Sequence, residues 1–335
     1  MTHCLVTFLG AQKQGQYPKA RYDFPDGHSE DAAFLGFPLR DWLQADRLVV
    51  FGTAGSMWDH LFERQIEAGN ESIALSKLMD ATAEQSVEQY QLDEVESLLA
   101  QELDCDIGLR IIPTALEAAE QTALVKALAD AAEDAKKLSV DVTHGYRHLP
   151  MLAVTAALYL RFIRPDLDIA GLWYGAFDPA TKIAPVHNLA GLLETADWLA
   201  ALQRHEWLGD YDGVAGLIKS EDPQLADELR IASFRESIHQ AQQSRKNIRS
   251  ARDRLEALAL DGPIQLFKPV LLERMNWVDE NSLYLRQRRQ AVGALRRYDY
   301  LRAALFAYEA FITAQVSEHY SNADPNDHKT RDEAR

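Results

Sequence analysis

Residues 138–177 constrain the possible folds of this chain more than any other stretch. Residues 138–142 form a short β-prone run, whereas 151–163 (MLAVTAALYLRFI) are too long and too rich in Ala and Leu for a strand and read as a helix. Beyond Pro165, residues 169–177 (IAGLWYGAF) are a second strand. Strand, helix and strand in succession make a βαβ unit, in which the strands are parallel and the crossover right-handed. Ligands of open α/β sheets bind beyond the carboxyl ends of the strands. The turn 141–150 (DVTHGYRHLP) lies there and carries Thr143, His144, Gly145, Tyr146 and Arg147. Small donors, a glycine that admits close backbone approach and a guanidinium suit an anion.

The rest of the first half follows the same alternation. Residues 4–9 (CLVTFL) are a strand ended by Gly10, and 47–51 (RLVVF) a strand ended by Gly52-Thr53-Ala54-Gly55-Ser56. Between them, 11–27 read as a polar, basic loop with Lys13, Lys19 and Arg21. Residues 61–101 read as two or more amphipathic helices and 106–113 as a third strand. Residues 114–137 read as a helix, with Thr114 and Glu117 as a capping box. The alternation predicts an α/β, doubly wound parallel sheet over 1–188. From Leu189 onward strands disappear, and Leu192, Leu193, Trp198, Leu199, Leu202 and Trp207 recur at helical spacing. Helices are predicted over 197–210, 226–260, 266–272, 276–291 and 301–316, giving an all-α domain over 189–320 and a polar tail over 321–335 that is either disordered or cut from a longer element.

Composition narrows the function. No apolar run reaches the roughly 18 residues of a membrane span, and the first residues lack a basic leader, so a cytoplasmic protein is expected. Cys4 and Cys105 are too few for a disulfide framework, and no Cys/His cluster has zinc-like spacing. Both read as buried small hydrophobes, and neither metal nor cofactor is expected. A formal charge of −16 argues against non-specific duplex binding but permits a local basic pocket. GxGxxG and GxxxxGK[ST] are absent. Thr53 and Thr143 suit helix capping, ligand contact or both. Arg147 opposes the dipole of the following helix, a conflict that a bound anion removes. The arginine-rich stretches 245–254 and 286–297 read as solvated faces paired with acids, with single-stranded RNA as the alternative partner.

Asp141-x-Thr143-His144-Gly145, with Tyr146-Arg147 and Pro150, resembles the signature of the CRISPR-associated family named for its Asp-x-Thr-His-Gly motif. Phe8-Leu9-Gly10, Phe51-Gly52-Thr53 and Tyr174-Gly175-Ala176 are similar to that family's neighbouring strand ends, and 303–312 (AALFAYEAFI) to a helix opening its C-terminal domain. The resemblance implies a CARF domain, a Rossmann-like sensor of cyclic oligoadenylates, followed by a helical HEPN domain. It further implies a homodimer whose two sensor domains share one ring across a two-fold axis, with four adenylates as the size expected to fit such a dimer and six as the alternative. Gly10, Ala11, Gln12 and Lys13, with Gly52, Thr53 and Ala54, would then meet the ligand together with Thr143, His144, Gly145 and Arg147. His144 could act as a neutral hydrogen-bonding ring or as a cation near phosphate, its ordinary pKa being about 6.5.

The HEPN ribonucleases carry Arg-x(4–6)-His, and the single match here is Arg21 to His28, within the N-terminal loop. Ribonuclease activity therefore does not transfer to this chain as written; the expectation is that the motif is degenerate, missing or encoded past Arg335. Two other readings remain: a ring nuclease acting through Thr143, His144 and Arg147, and an unrelated α/β nucleotide-binding protein.

Overall fold

A computed structural model describes residues 2–11, 19–67, 69, 72–259, 261–320, 324 and 327–334. The chain forms two compact units, Met1–Leu193 and Glu194–Arg335.

The first unit is built on β1 (His3–Leu9), β2 (Ala20–Asp23), β3 (Ser29–Ala32), β4 (Arg47–Gly52), β5 (Asp106–Ile111), β6 (Lys137–Asp141), β7 (Asp168–Gly175) and β8 (Ile183–Asn188). They form one sheet in the order β3-β2-β8-β7-β6-β1-β4-β5. The five strands from β7 to β5 are parallel, while β8 runs antiparallel to β7 and β3 antiparallel to β2. The helices are α1 (Gly36–Leu43), α2 (Glu63–Glu67), α3 (Ile73–Ala83), α4 (Gln89–Leu103), α5 (Ala118–Ala131) and α6 (Leu149–Ile163).

Every residue of β1 is buried, which follows from its central place and its near-continuous apolar run. Side chains alternate between the faces. Leu5 and Leu9 join Leu48, Val50 and Leu109 in one core, which Leu39, Leu75, Leu92 and Val95 of α1, α3 and α4 cover. Val6 and Phe8 join Val49, Phe51 and Val140 in the other core, covered by Leu124, Leu128, Ala156 and Leu160 of α5 and α6. Cys4 is fully buried in this second core, and desolvation pushes its thiol up to about 12. The result is a three-layer sandwich with helices on both faces.

The second unit comprises α7 (Gly191–Leu208), whose first turn contains the division, then α8 (Asp212–Ile218), α9 (Pro223–Ser237), α10 (Ala241–Ala257), α11 (Ile264–Met275), α12 (Leu283–Arg296), α13 (Tyr300–His319) and α14 (His328–Glu333). Its core gathers Trp198, Tyr211, Leu229, Ile248, Leu255 and Leu271. Trp207, by contrast, is exposed. Among the described residues no helix is long and apolar enough to cross a membrane.

Several sequence expectations are corrected. The sheet is mixed rather than purely parallel, because β8 returns antiparallel to β7 and part of the predicted basic loop folds into the β2–β3 hairpin. Its strands, ARYD and SEDA, are four residues each and lack an apolar run. The helix expected from Thr114 starts at Ala118 with Glu117 as its N-cap residue, and Thr114 instead bonds Glu120 at 3.1 Å. Ala115 (φ +58°) turns the chain out of helical geometry just before it. The run 226–260 breaks into α9 and α10 at His239 (φ +60°), and 276–291 gives a 3-10 turn followed by a helix capped by Ser282. In the predicted tail, 328–333 are helical, capped by Asp327, and Arg331 anchors them to Glu309 and Thr313.

Leu5 is fully buried at the centre of the sheet. Leu5→Ala is expected to lower the urea midpoint of the first unit by the equivalent of about 2–5 kcal/mol, read by near-UV circular dichroism.

Candidate functional site

The chain order of the parallel strands reverses at β1, which has β4 on one side and β6 on the other. The carboxyl ends of β1 and β6 therefore flank the topological switch point, where open α/β sheets place ligands. Asp141, the last residue of β6, lies there fully buried. Its Oδ2 accepts from the Thr7 hydroxyl at 2.7 Å and its Oδ1 from the Thr143 amide at 2.9 Å. A buried carboxylate is tolerated only with such partners. These bonds tie the signature turn to β1. On the other side, the Gly175 amide donates to the Thr143 hydroxyl oxygen at 2.8 Å, tying the turn to β7. Thr143 thus caps no helix; its side chain fastens two strand ends.

Gly145 has φ +92°, a conformation open to glycine, and a Cβ there would lie 3.0 Å from Leu149 Cδ1 and 3.3 Å from Phe8 Cβ. Its position brings the turn against the end of β1. Arg147 is exposed and makes no ion pair with any described residue. It lies two residues before α6, which His148 caps, and His148 Nε2–H donates to the Thr114 carbonyl at 2.8 Å. Tyr146 is exposed and stacks on His148 at 5.7 Å.

His144 turns inward. The Leu35 amide donates to its Nε2 at 3.3 Å, and its ring lies against Phe34 at 5.4 Å. The Tyr22 hydroxyl is 3.5 Å from the same nitrogen. A backbone N–H can only donate, so Nε2 offers its lone pair and the proton of the neutral ring sits on Nδ1. Desolvation lowers the His144 pKa, against the upward pull of Asp141.

The turn after β4 is built differently. The Thr53 amide donates to Ser56 Oγ at 2.9 Å, and that hydroxyl donates to the Leu9 carbonyl at 2.8 Å. Trp58 Nε1 donates to the Thr53 carbonyl at 2.9 Å. Thr53 is buried, and its amide is engaged within the turn. Gly52 makes room for the Trp58 indole, since a Cβ would come within 2.6 Å of Cζ2. The Gly10 carbonyl accepts from Met57, the Ala54 carbonyl accepts from Val87, and Ala11 is exposed. Gln12 and Lys13 lie outside the described residues.

The structure thus brings Gly10, Gly52–Ala54 and Thr143–Arg147 to one edge of the sheet. Thr7, Asp141, Ser56, Phe34 and Leu35 also shape that edge but were not among the predicted contacts. Two of them left a signal: Thr7 is a lone hydroxyl in an apolar strand, and Asp141 opens the signature itself. Among the described residues no cluster of three His, Cys, Asp or Glu side chains could hold a metal.

Two expectations follow. Asp141→Ala strands the Thr7 hydroxyl and the Thr143 amide and is expected to destabilise the first unit by about 1–3 kcal/mol in urea titrations; Asp141→Asn, which keeps one acceptor, should lose less. In NMR titration His144 is expected to protonate with a midpoint below 6.5. Because burial depresses its folded pKa, the stability it contributes is complete above 6.5 and is lost as pH falls towards the folded midpoint.

Residues 4–169 match the family described as CRISPR system endoribonuclease Csx1, CARF domain. CRISPR-associated protein MJ1674 of Methanocaldococcus jannaschii is 23% identical over 240 residues, which cover 64% of this chain and 37% of that relative. The chain therefore matches little more than a third of the relative's length. With β1 and β6 flanking the switch point, the signature turn between them and these two matches in agreement, residues 4–169 are a CARF domain of the CRISPR-associated kind.

Proposed function

We propose that this protein is a sensor of type III CRISPR defence whose first unit binds a cyclic oligoadenylate at the carboxyl ends of β1 and β6. The observation that carries the reading is the signature turn. Asp141 and Thr143 hold it rigid from behind, while Gly145 and Arg147, which pairs with no described acid, are exposed at its front. A guanidinium with no counter-ion among the described residues, beside exposed glycine backbone, suits a phosphodiester. A ring of four adenylates is two-fold symmetric, so a homodimer would present the turn twice to one ligand. Ligand binding then biases the helical second unit, which is the responding element.

Ring cleavage is less well supported. The lone pair of His144 Nε2 is engaged by the Leu35 amide, so this nitrogen is not available as a general base. Ribonuclease activity forms no part of the proposal. Arg21 pairs with Asp23 at 2.9 Å and His28 with Glu30 at 3.7 Å, both within the β2–β3 hairpin region, as suits a coincidental match to the nuclease motif.

Calorimetry with cyclic tetra- and hexa-adenylate tests the proposal. Micromolar or tighter binding is expected, with one ring per two chains. Folded protein that binds neither ring would overturn it. Arg147→Ala removes an exposed side chain and should leave the fold intact, while weakening binding by about tenfold or more, as loss of one charge-assisted hydrogen bond implies.

A further inference from the structure

The helical unit contains a polar cavity that the sensor reading leaves unused. The end of α7, with α9, α11 and α12, lines a space of about 610 Å³, within the size range of small-ligand sites. Its walls hold polar atoms that the protein does not satisfy. His205 is only 9% exposed, and its Nδ1 has no hydrogen-bond partner among the described residues. Both Gln290 amide atoms and Arg297 Nε are likewise buried without a partner. Buried polar groups are nearly always paired, so four unmet atoms in side chains that line one cavity single out its wall.

The charges say what kind of group that is. Arg274 pairs with Glu206, and Arg289 with Glu280 at 3.4 Å. Arg288, Arg296 and Arg297 line the same cavity and make no ion pair with a described residue. Facing these three guanidiniums are two lining carboxylates outside those pairs, Glu236 and Glu273. Burial raises Glu236 to about 7, which weakens its negative charge near neutral pH, and holds His205 neutral by lowering it to about 4. The balance therefore favours an anion. Arg297 is also seated by the backbone. Gly209 ends α7 with φ +72°, and a Cβ there would fall 2.7 Å from the Arg297 guanidinium carbon. A side chain there would push the guanidinium from this position.

We infer that this cavity binds a phosphate group carried on a molecule of nucleotide size. Arg288 and Arg297 hold the phosphate oxygens, and Gln290 and His205 meet polar edges of the remainder. The planar fork of arginine matches phosphate oxygens, and an amide offers a donor and an acceptor together. Such a phosphate could come from a free nucleotide or from the 5′ end of a short RNA.

Calorimetry on the full chain separates these outcomes, using ADP, adenosine, and an RNA tetramer with and without a 5′ phosphate. ADP or the phosphorylated tetramer is expected to bind, with adenosine and the unphosphorylated tetramer at least about tenfold weaker. Tighter binding by ADP assigns the site to free nucleotides, and tighter binding by the tetramer to RNA ends. Arg297→Gln and Arg288→Gln should each weaken binding by about ten- to a hundredfold, whereas Arg147→Ala in the first unit should not alter it. Arg288 is exposed, so its variant decides the matter if Arg297→Gln does not fold. The inference is overturned if neither phosphorylated probe binds the wild type, if Arg288→Gln binds as the wild type does, or if Arg147→Ala abolishes binding. Failure to bind cyclic oligoadenylate would leave it standing.

Discussion

Asp141 places a carboxylate in the interior of a parallel sheet, where an ion without partners would be untenable. The Thr7 hydroxyl answers one oxygen and the Thr143 amide the other. Those two bonds join the central strand to the turn that follows its neighbour, and the Thr143 hydroxyl carries the tie on to β7. Three strand ends are thereby held in register by one buried acid and the residue two places beyond it. The geometry of the candidate site depends on that clamp. With the turn pinned at its base, Gly145 can hold its left-handed backbone and Arg147 can stand in solvent.

Two glycine- and hydroxyl-bearing turns meet at this edge, and they serve different ends. After β4, the Thr53 amide, the Ser56 hydroxyl and the Trp58 indole satisfy one another and the Leu9 carbonyl. Its hydrogen-bonding capacity is largely spent within the protein. After β6 the same residue types hold the turn from behind and leave its outer surface available. The difference comes from Trp58, whose large indole fills the space that Gly52 opens.

The main strands and α6 were legible in sequence because each is a sustained apolar run with the period of its structure. The β2–β3 hairpin and β8 were not. Their strands are short, and β2 is held by pairing with β8, far along the chain, which no local window reveals. Helix ends were equally hard to read: Thr114 has the composition of a cap, but the positive φ of Ala115 moves the start to Ala118. At the candidate site, the signature turn and Arg147 stood out in sequence. The inward turn of His144 towards Leu35 did not, nor did the self-contained wiring around Thr53. The arginines of 286–297 read as a solvated face, yet Arg286 is buried on backbone carbonyls and Arg297 lines a cavity.

Sequence alone determined the alternation of strand and helix, the change to an all-helical second half, and the location of the turn rich in recognition chemistry. These depend on periodicity and residue type, which act over a few neighbouring positions. Tertiary structure decided which polar groups were consumed and which left available. Thr7 and Asp141 are 134 residues apart, and Leu35 and His144 are 109 apart. Hydrogen bonds across such separations exist only once the sheet order has brought the strands side by side. The same side chain can face a ligand or a buried amide, and only packing selects between them.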